Sequence, residues 1–293
     1  MDDIDDLDED YDKLLVAPMP ELTLAQRLPR GYVSVSQANQ YLKCPKAYEF
    51  RYIYEEPIQR NSYMVQGSAI HKGAEALHNV LMDGGATPPL EYTLDSYADA
   101  HKELFDSEVV IEEEDVSVDV IKDVGIAMMS EYHMGATGQL DDLITKERMP
   151  RVYPVAVEKR YYVALTPRDR DPVPFLAIVD LEEPTKVADL KTKRQKGSQS
   201  ETDNSLQLSL YAAATGKPDV GLHQLVKPTK KLGPRYIRTT NVRTPDEIQH
   251  AVEILADVAD GIAAGYFPRS DPDQWWCTQK WCGFWDKCRG RKH

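Results

Sequence analysis

The chain has 293 residues, of which 42% are hydrophobic and 28% charged, values typical of a globular protein and unlike those of a largely disordered one. No stretch approaches the roughly 18 consecutive apolar residues of a membrane span, and the first ten residues lack the basic and apolar regions of a signal peptide, so we expect a cytoplasmic protein. The net charge of −13 does not exclude a nucleic-acid partner, because residues 1–13 alone hold eight acids and one base, while lysines and arginines cluster at residues 186–196 and 227–243.

The N-terminal part of the chain is predicted to contain an acidic, disordered arm (residues 1–30) and a helical block (residues 31–150). Ser34 or Ser36 can cap the first helix of the block, and Pro45 suits the first turn of the second. The first predicted helix ends at Tyr41 and the second begins at Pro45. Three further helices are predicted over residues 66–83, 92–107 and 118–134.

From residue 151 the pattern changes to that of an α/β (α+β) core over residues 151–265, followed by a cysteine-rich tail over residues 266–293. Gly216 ends one predicted helix of this core, and Thr244 caps another. The predicted elements are strands 152–165, 174–181 and 185–192, helix 204–215, strands 221–227 and 234–240, and a helix from Pro245 to about Gly265.

Two acids and a lysine stand at the ends of neighbouring predicted strands. Asp180 ends one strand, while Asp189 and Lys191 lie two apart on the next and therefore share one face. A hairpin could bring the two carboxylates together as a hard-oxygen site for Mg²⁺ or Mn²⁺, beside a lysine that orients or deprotonates a water. The alternative is a surface hairpin with a solvated salt bridge, because charged triplets are common.

Two further motifs belong to the same hypothesis. Gln207 and Tyr211 lie at i and i+4 on one helix face, where both can hydrogen-bond a phosphate or the lysine. His71 lies in a predicted helix and can serve as a third metal ligand. The alternatives are ordinary helix packing for the first pair and a packed or exposed histidine for the second.

The four cysteines are Cys44, Cys277, Cys282 and Cys288. In a cytoplasmic protein they are better explained as metal or cluster ligands than as disulfides. Four thiolates fit a 4Fe–4S cluster. A zinc ion is the alternative because it also binds four thiolates, although the C-x2-C pair common in zinc sites does not occur in this sequence. Four unrelated buried thiols are the remaining alternative.

The segment from residue 41 to residue 63 alternates tyrosines with basic residues. Such a pattern suits single-stranded nucleic acid, whose bases stack on aromatic rings and whose phosphates bind lysine and arginine. The alternative is a pair of tyrosine-rich helices packed in the core. The tyrosines concerned are Tyr41, Tyr48, Tyr52, Tyr54 and Tyr63, and the bases are Lys43, Lys46, Arg51 and Arg60.

In this order, the motifs resemble those of RecB-type members of the PD-(D/E)XK nuclease superfamily, and especially the CRISPR-associated and phage-encoded exonucleases that carry an iron–sulfur cluster. The matching elements are S-x-S-x-x-x-x-Y-x-x-C-P at Ser34–Pro45, G-x-x-x-H at Gly67–His71, Asp180, D-L-K at Asp189–Lys191, Q-x-x-x-Y at Gln207–Tyr211, and the terminal cysteines. The resemblance implies a restriction-endonuclease-like core, in which helices flank a mixed sheet, with an N-terminal helical block and a C-terminal iron–sulfur tail.

The resemblance also implies a role for each motif residue. The metal ligands would be His71, Asp180, Asp189 and the Leu190 backbone carbonyl, and Glu158 would support these ligands. Lys191 would position the attacking water, and Gln207 and Tyr211 would hold the lysine or the DNA strand. The 4Fe–4S cluster would be bound by Cys44, Cys277, Cys282 and Cys288.

The function implied is that of a Mg²⁺- or Mn²⁺-dependent DNA exonuclease acting on single strands or DNA ends, in recombination, repair or CRISPR adaptation, with proteins of those pathways as partners. Two alternatives stay open: a DNA-binding subunit of a recombination complex, and a zinc-ligated binding module without catalysis.

Overall fold

The computed structural model describes residues 22–58, 60–82, 86–107, 110–111, 117–143 and 145–289. Most of the predicted acidic arm therefore lies outside the described residues, and only its end is seen, where Thr23 caps a one-turn helix. None of the described helices is long and apolar enough to cross a membrane.

The predicted helices and strands after residue 31 are present, with ends that shift by a few residues. The helices are α1 (Leu24–Arg27), α2 (Val35–Lys43), α3 (Pro45–Tyr48), a π-helical turn (Glu49–Ile53), α4 (Ser62–Met82), α5 (Leu90–Ser107), α6 (Val118–Ala136), α7 (Gln199–Asp203), α8 (Leu206–Thr215), α9 (Pro245–Ala263) and α10 (Trp285–Cys288). The strands are β1 (Val33–Ser34), β2 (Arg60–Asn61), β3 (Val110–Ile111), β4 (Ala156–Leu165), β5 (Val173–Glu182), β6 (Lys186–Lys193), β7 (Asp219–Val226) and β8 (Arg235–Val242).

Local capping explains several of these boundaries. The Ser34 hydroxyl accepts a hydrogen bond from the Gln37 N–H at the start of α2, and Thr244 and Glu247 form a capping box at the start of α9. Helix α8 ends where Gly216 takes a φ of 72°, a left-handed conformation that glycine adopts without strain.

The larger sheet is mixed, as predicted. Its strand order is β1-β5-β6-β7-β8, and β4 pairs with the other edge of β5. Strands β6 and β7 run parallel, joined through α7 and α8, whereas β4–β5, β5–β6 and β7–β8 are antiparallel. The short strand β1 runs parallel to β5, and β2 and β3 form a separate parallel pair.

Two hydrophobic clusters hold helices against this sheet. One joins α2, α8 and α9 to β5, with Phe175 and Leu255 fully buried. The other packs α4, α5 and α6 together and against the sheet, with Leu77 and Met128 fully buried. The helices between residues 31 and 150 thus divide between two cores, and the proposed domain boundaries at residues 30, 150 and 265 stay predictions.

One close approach fixes α6 on β8. A Cβ atom at Gly135 would lie 2.0 Å from Cδ1 of Tyr236, and the Tyr236 ring is buried with its hydroxyl hydrogen-bonded to His223 and Arg238. Only glycine therefore lets the two elements come this close.

Candidate active site

The site forms where β5 and β6 separate. The ladder between them pairs Leu181 with Ala188 and Glu182 with Val187, so the next residues toward the site, Asp180 and Asp189, come from facing strands. At this point the Asp180 carboxylate, rather than a backbone carbonyl, accepts the N–H of Leu190, at 2.8 Å. The predicted hairpin is present, and the fork in it exposes two carboxylates to each other.

Helix α8 fills the gap between the separated strands. The Tyr211 hydroxyl donates to the Ile178 carbonyl at 2.5 Å, which satisfies a backbone group of β5. The Gln207 amide donates to the Tyr211 hydroxyl at 2.8 Å and to the Asp189 carboxylate at 2.5 Å. The predicted i, i+4 pair therefore contacts the acidic site directly.

Lys191 lies on the same face of β6 as Asp189, and its ammonium is 2.9 Å from the Asp189 carboxylate. Burial lowers the pKa of Lys191, but the charges of Asp189 and Asp180 outweigh burial and raise that pKa overall. The neighbouring carboxylates therefore favour the charged, proton-bearing form of Lys191.

His71 and Glu158 complete the cluster from two other elements. His71 Nδ1, on α4, is 3.6 Å from both Glu158 Oε1 and Asp180 Oδ2. These three residues each offer a ligand atom within 4.8 Å of the others, and no other such group occurs in the described part of the chain. Because β4 and β5 pair Val157 with Leu181 and Lys159 with Val179, Glu158 faces Asp180 directly.

Glu158 has a φ of 47°, within the left-handed region that costs a non-glycine residue free energy. The family resemblance implied only a supporting role for Glu158. In the structure its carboxylate instead lies within 4.8 Å of the potential ligand atoms of Asp180 and His71. The sequence of β4 contains no pattern from which the left-handed backbone conformation of Glu158 could be predicted.

The electrostatics of the cluster favour a bound cation. Burial, followed by the charge of Asp189, raises the pKa of Asp180 to about 7. Burial also raises the pKa of Asp189, against the opposing effect of Lys191. For His71, burial lowers the pKa, but Glu158 and Asp180 raise it overall. The two carboxylates of Glu158 and Asp180 and the His71 imidazole form a donor set that suits a divalent metal ion. The predicted ligand Asp189 is not one of these three; its carboxylate contacts Lys191 and Gln207.

Cys44 lies at the C-terminal end of α2, and the other three cysteines lie in the C-terminal tail. Cys44 precedes α3, and burial raises its pKa, but hydrogen bonds from Ser270 and from the first N–H groups of α3 lower it overall. Burial raises the pKa of Cys282, and negative charge on Cys44, Cys277 and Cys288 raises it further. The other three thiols are thus within electrostatic reach of Cys282, although no three of the four sulfur atoms lie within 4.8 Å of one another.

The tail that carries three of these cysteines packs on the segment after Cys44. The Lys46 N–H donates to the Pro268 carbonyl at 3.1 Å, the rings of Phe50 and Phe284 stack with centroids 5.5 Å apart, and Lys287 pairs with Glu56.

The tyrosines of this segment are mainly structural. Tyr41, Tyr48 and Tyr52 are buried in the core, whereas Tyr54 and Tyr63 are exposed. Stacking of bases along all five rings, one of the two interpretations of the pattern, is therefore wrong for the three buried rings.

A family model described as the PD-(D/E)XK nuclease superfamily matches residues 32–289. Eight chains of solved structures match; one, described as "Crystal structure of SSO0001", is 15% identical with a TM-score of 0.33, over 46% of this chain and 59% of that one, which is too weak to carry an argument. No curated protein matches. Because the family model spans most of the sequence, the chain belongs to the PD-(D/E)XK nuclease superfamily, whose members are generally metal-dependent nucleases.

Proposed function

We propose that this protein is a Mg²⁺- or Mn²⁺-dependent exonuclease that hydrolyses phosphodiester bonds at DNA ends or in single strands, in recombination, repair or CRISPR adaptation. One observation carries the proposal: Asp180 and Asp189 meet at the fork between β5 and β6, and Lys191 contacts one of them. A chain that kept the nuclease fold only for DNA binding would have no use for a buried, mutually repelling pair of carboxylates beside a charged lysine.

Each side chain has a task in this mechanism. His71, Glu158, Asp180, Asp189 and the Leu190 carbonyl would hold the metal, which supplies a water of lowered pKa and polarises the phosphate. Lys191 donates hydrogen bonds toward the reacting phosphate and the water. Gln207 fixes the Asp189 carboxylate, and Tyr211 fixes β5 beside it.

We also propose that the four cysteines bind a 4Fe–4S cluster. Four thiolates are the usual ligand set of such a cluster, and zinc, which also binds four thiolates, is the alternative. In this position the cluster would join α3 to the tail, a structural role that requires no electron transfer.

The catalytic proposal is tested with end-labelled single- and double-stranded DNA, incubated with Mg²⁺, Mn²⁺ or EDTA, and products resolved by length. Lys191→Ala is expected to slow cutting at least about 100-fold, because it removes a fixed charge at the reacting phosphate, yet to retain Mn²⁺ binding by calorimetry. Lys102→Ala, an exposed lysine on α5, is the matched control.

Full activity in EDTA, or a Lys191→Ala protein that cuts at the normal rate, would overturn the proposal. Binding of DNA without any cutting would favour the alternative of a recombination-complex subunit.

A further inference from the structure

A cleft of about 560 Å³ opens beside α8. Gln207 and Tyr211 line its inner end, and β5 contributes Leu176 and Ile178 to its floor. Because Gln207 also contacts Asp189, the cleft ends one side chain away from the carboxylate cluster. We call it the arginine cleft, after the residues of its outer wall: Arg30, Arg51 and Arg60.

Arg30 and Arg51 bring positive charge to the cleft on an acidic protein, whereas the third arginine, Arg60, donates hydrogen bonds to the Met64 carbonyl and the Ser68 hydroxyl. Glu56 is the acid that lines it, and this carboxylate pairs with Lys287. Within the described part of the chain, neither Arg30 nor Arg51 has an ion pair or side-chain hydrogen bond. Arg170, in contrast, is bound by acids of α9. Exposed guanidinium groups that have neither an acidic nor a hydrogen-bonding partner in the protein, grouped in one concavity, indicate an anionic ligand.

A buried ring holds two of these arginines in place. The guanidinium carbons of Arg30 and Arg51 lie 5.1 and 5.0 Å from the centre of the Tyr52 ring, which is only 7% exposed. Stacking uses the flat face of a guanidinium and leaves its N–H edge for a phosphate. Arg51 and Tyr52 belong to the π-helical turn, an irregularity that is frequent at functional sites.

We propose that the arginine cleft binds the sugar–phosphate backbone of one DNA strand and leads it past Gln207 to the carboxylate cluster. The inference rests on the proposed function, and it identifies the substrate as a single strand. A cleft of this volume holds a drug-sized molecule, so it can take unpaired nucleotides but cannot enclose a duplex. Arg30 and Arg51 bind successive phosphates, and the half-buried Tyr32 ring in the same wall offers a face for a base.

Binding is measured separately from cutting. The full-length protein in EDTA is titrated into a fluorescein-labelled single-stranded oligonucleotide of mixed sequence, and into its duplex, at several salt concentrations. The Arg30→Gln/Arg51→Gln variant is expected to bind the single strand at least about tenfold more weakly, because glutamine cannot form the charged hydrogen bonds of arginine to a phosphate. The slope of log affinity against log salt should fall by about 0.7 for each lost phosphate contact.

Arg168→Gln is the matched control, since this exposed arginine lies outside the cleft and pairs with Asp246. Both arginines of the double variant are exposed, so its folding is expected to be intact, and circular dichroism checks it; if it fails to fold, the single Arg51→Gln variant takes its place. Unchanged affinity with an unchanged salt slope, or tighter binding of duplex than of single strand, would overturn the cleft proposal.

The two proposals fail separately. If the cleft variant binds like the wild type while Lys191→Ala loses cutting, only the cleft is wrong. If the wild type binds the strand through the two arginines but cuts no DNA with either metal, only the nuclease proposal is wrong.

Discussion

Replacing Asp180 with asparagine is expected to stabilise the metal-free protein while abolishing DNA cutting. Burial and the charge of Asp189 raise the pKa of Asp180 from 3.8 to about 7. The folded protein therefore holds this proton more tightly than the unfolded chain does. Consequently the free energy of unfolding falls as the pH rises from about 4 to about 7, and it stays at the lower value above that range.

The size of this loss follows from the shift. Each pKa unit corresponds to 1.36 kcal/mol, so a shift of about three units costs the fold about 4 kcal/mol at pH 8. Asparagine cannot ionise and avoids this cost, although it also gives up the attraction of Asp180 to His71. We expect a net gain of about 2–4 kcal/mol, which raises the melting temperature by about 4–8 °C in a protein of this size.

Thermal unfolding in EDTA at pH 5 and pH 8, followed by circular dichroism, measures the effect. The advantage of Asp180→Asn should be at most half as large at pH 5, and Mn²⁺ at pH 8 should stabilise the wild type but not the variant. Asp99→Asn, an exposed aspartate of α5, should show no such trend. A variant that is less stable than the wild type at pH 8, or a difference that does not change with pH, would refute the reasoning.

The remaining predictions concern three other positions. Glu158→Gln should weaken Mn²⁺ binding at least about tenfold by calorimetry, because a charged ligand is lost; unchanged affinity would exclude Glu158 from the ligand set. Cys282→Ser should lose the brown colour, the absorbance near about 400 nm and the iron that anaerobically purified wild type is expected to show; a colourless wild type with one zinc ion would contradict this. Gly135→Ala should destabilise the fold by about 1–3 kcal/mol in urea, because the added methyl group overlaps the Tyr236 ring, whereas Gly233→Ala, which meets nothing within 4 Å, should be neutral.

The centre of the site could be predicted from the sequence because it depends on local periodicity. Residues two apart on a strand share a face, which brings Lys191 to the Asp189 carboxylate, and residues four apart share a helix face, which joins Gln207 to Tyr211. The position of Asp180 required one further step, a hairpin between consecutive strands.

The rest depends on tertiary contacts that leave no periodic signal. The β5–β6 ladder ends at Leu181 and Ala188, and the same edge of β5 pairs farther along with the two-residue strand β1. A strand so short has no alternation to recognise. Glu158 has a special backbone conformation within an otherwise ordinary strand. Arg30 and Arg51 meet only because both stack on the Tyr52 ring, and pattern analysis of the sequence does not pair these positions.

The contacts between the tail and α2–α3 also affect how the protein is made. The Tyr41 hydroxyl donates to the Tyr266 carbonyl across 225 residues of chain, and the Ser270 hydroxyl donates to the Lys43 carbonyl across 227. At a synthesis rate of about 5–20 residues per second, α2 waits on the order of 10–45 s for these partners. During that time the rings of Tyr48 and Phe50 lack the phenylalanines that later stack on them. The surface of α2–α3 that the tail covers therefore stays exposed on the nascent chain until Phe284 has been synthesised, and the four cysteines can bind a common group only after Cys288 has been added.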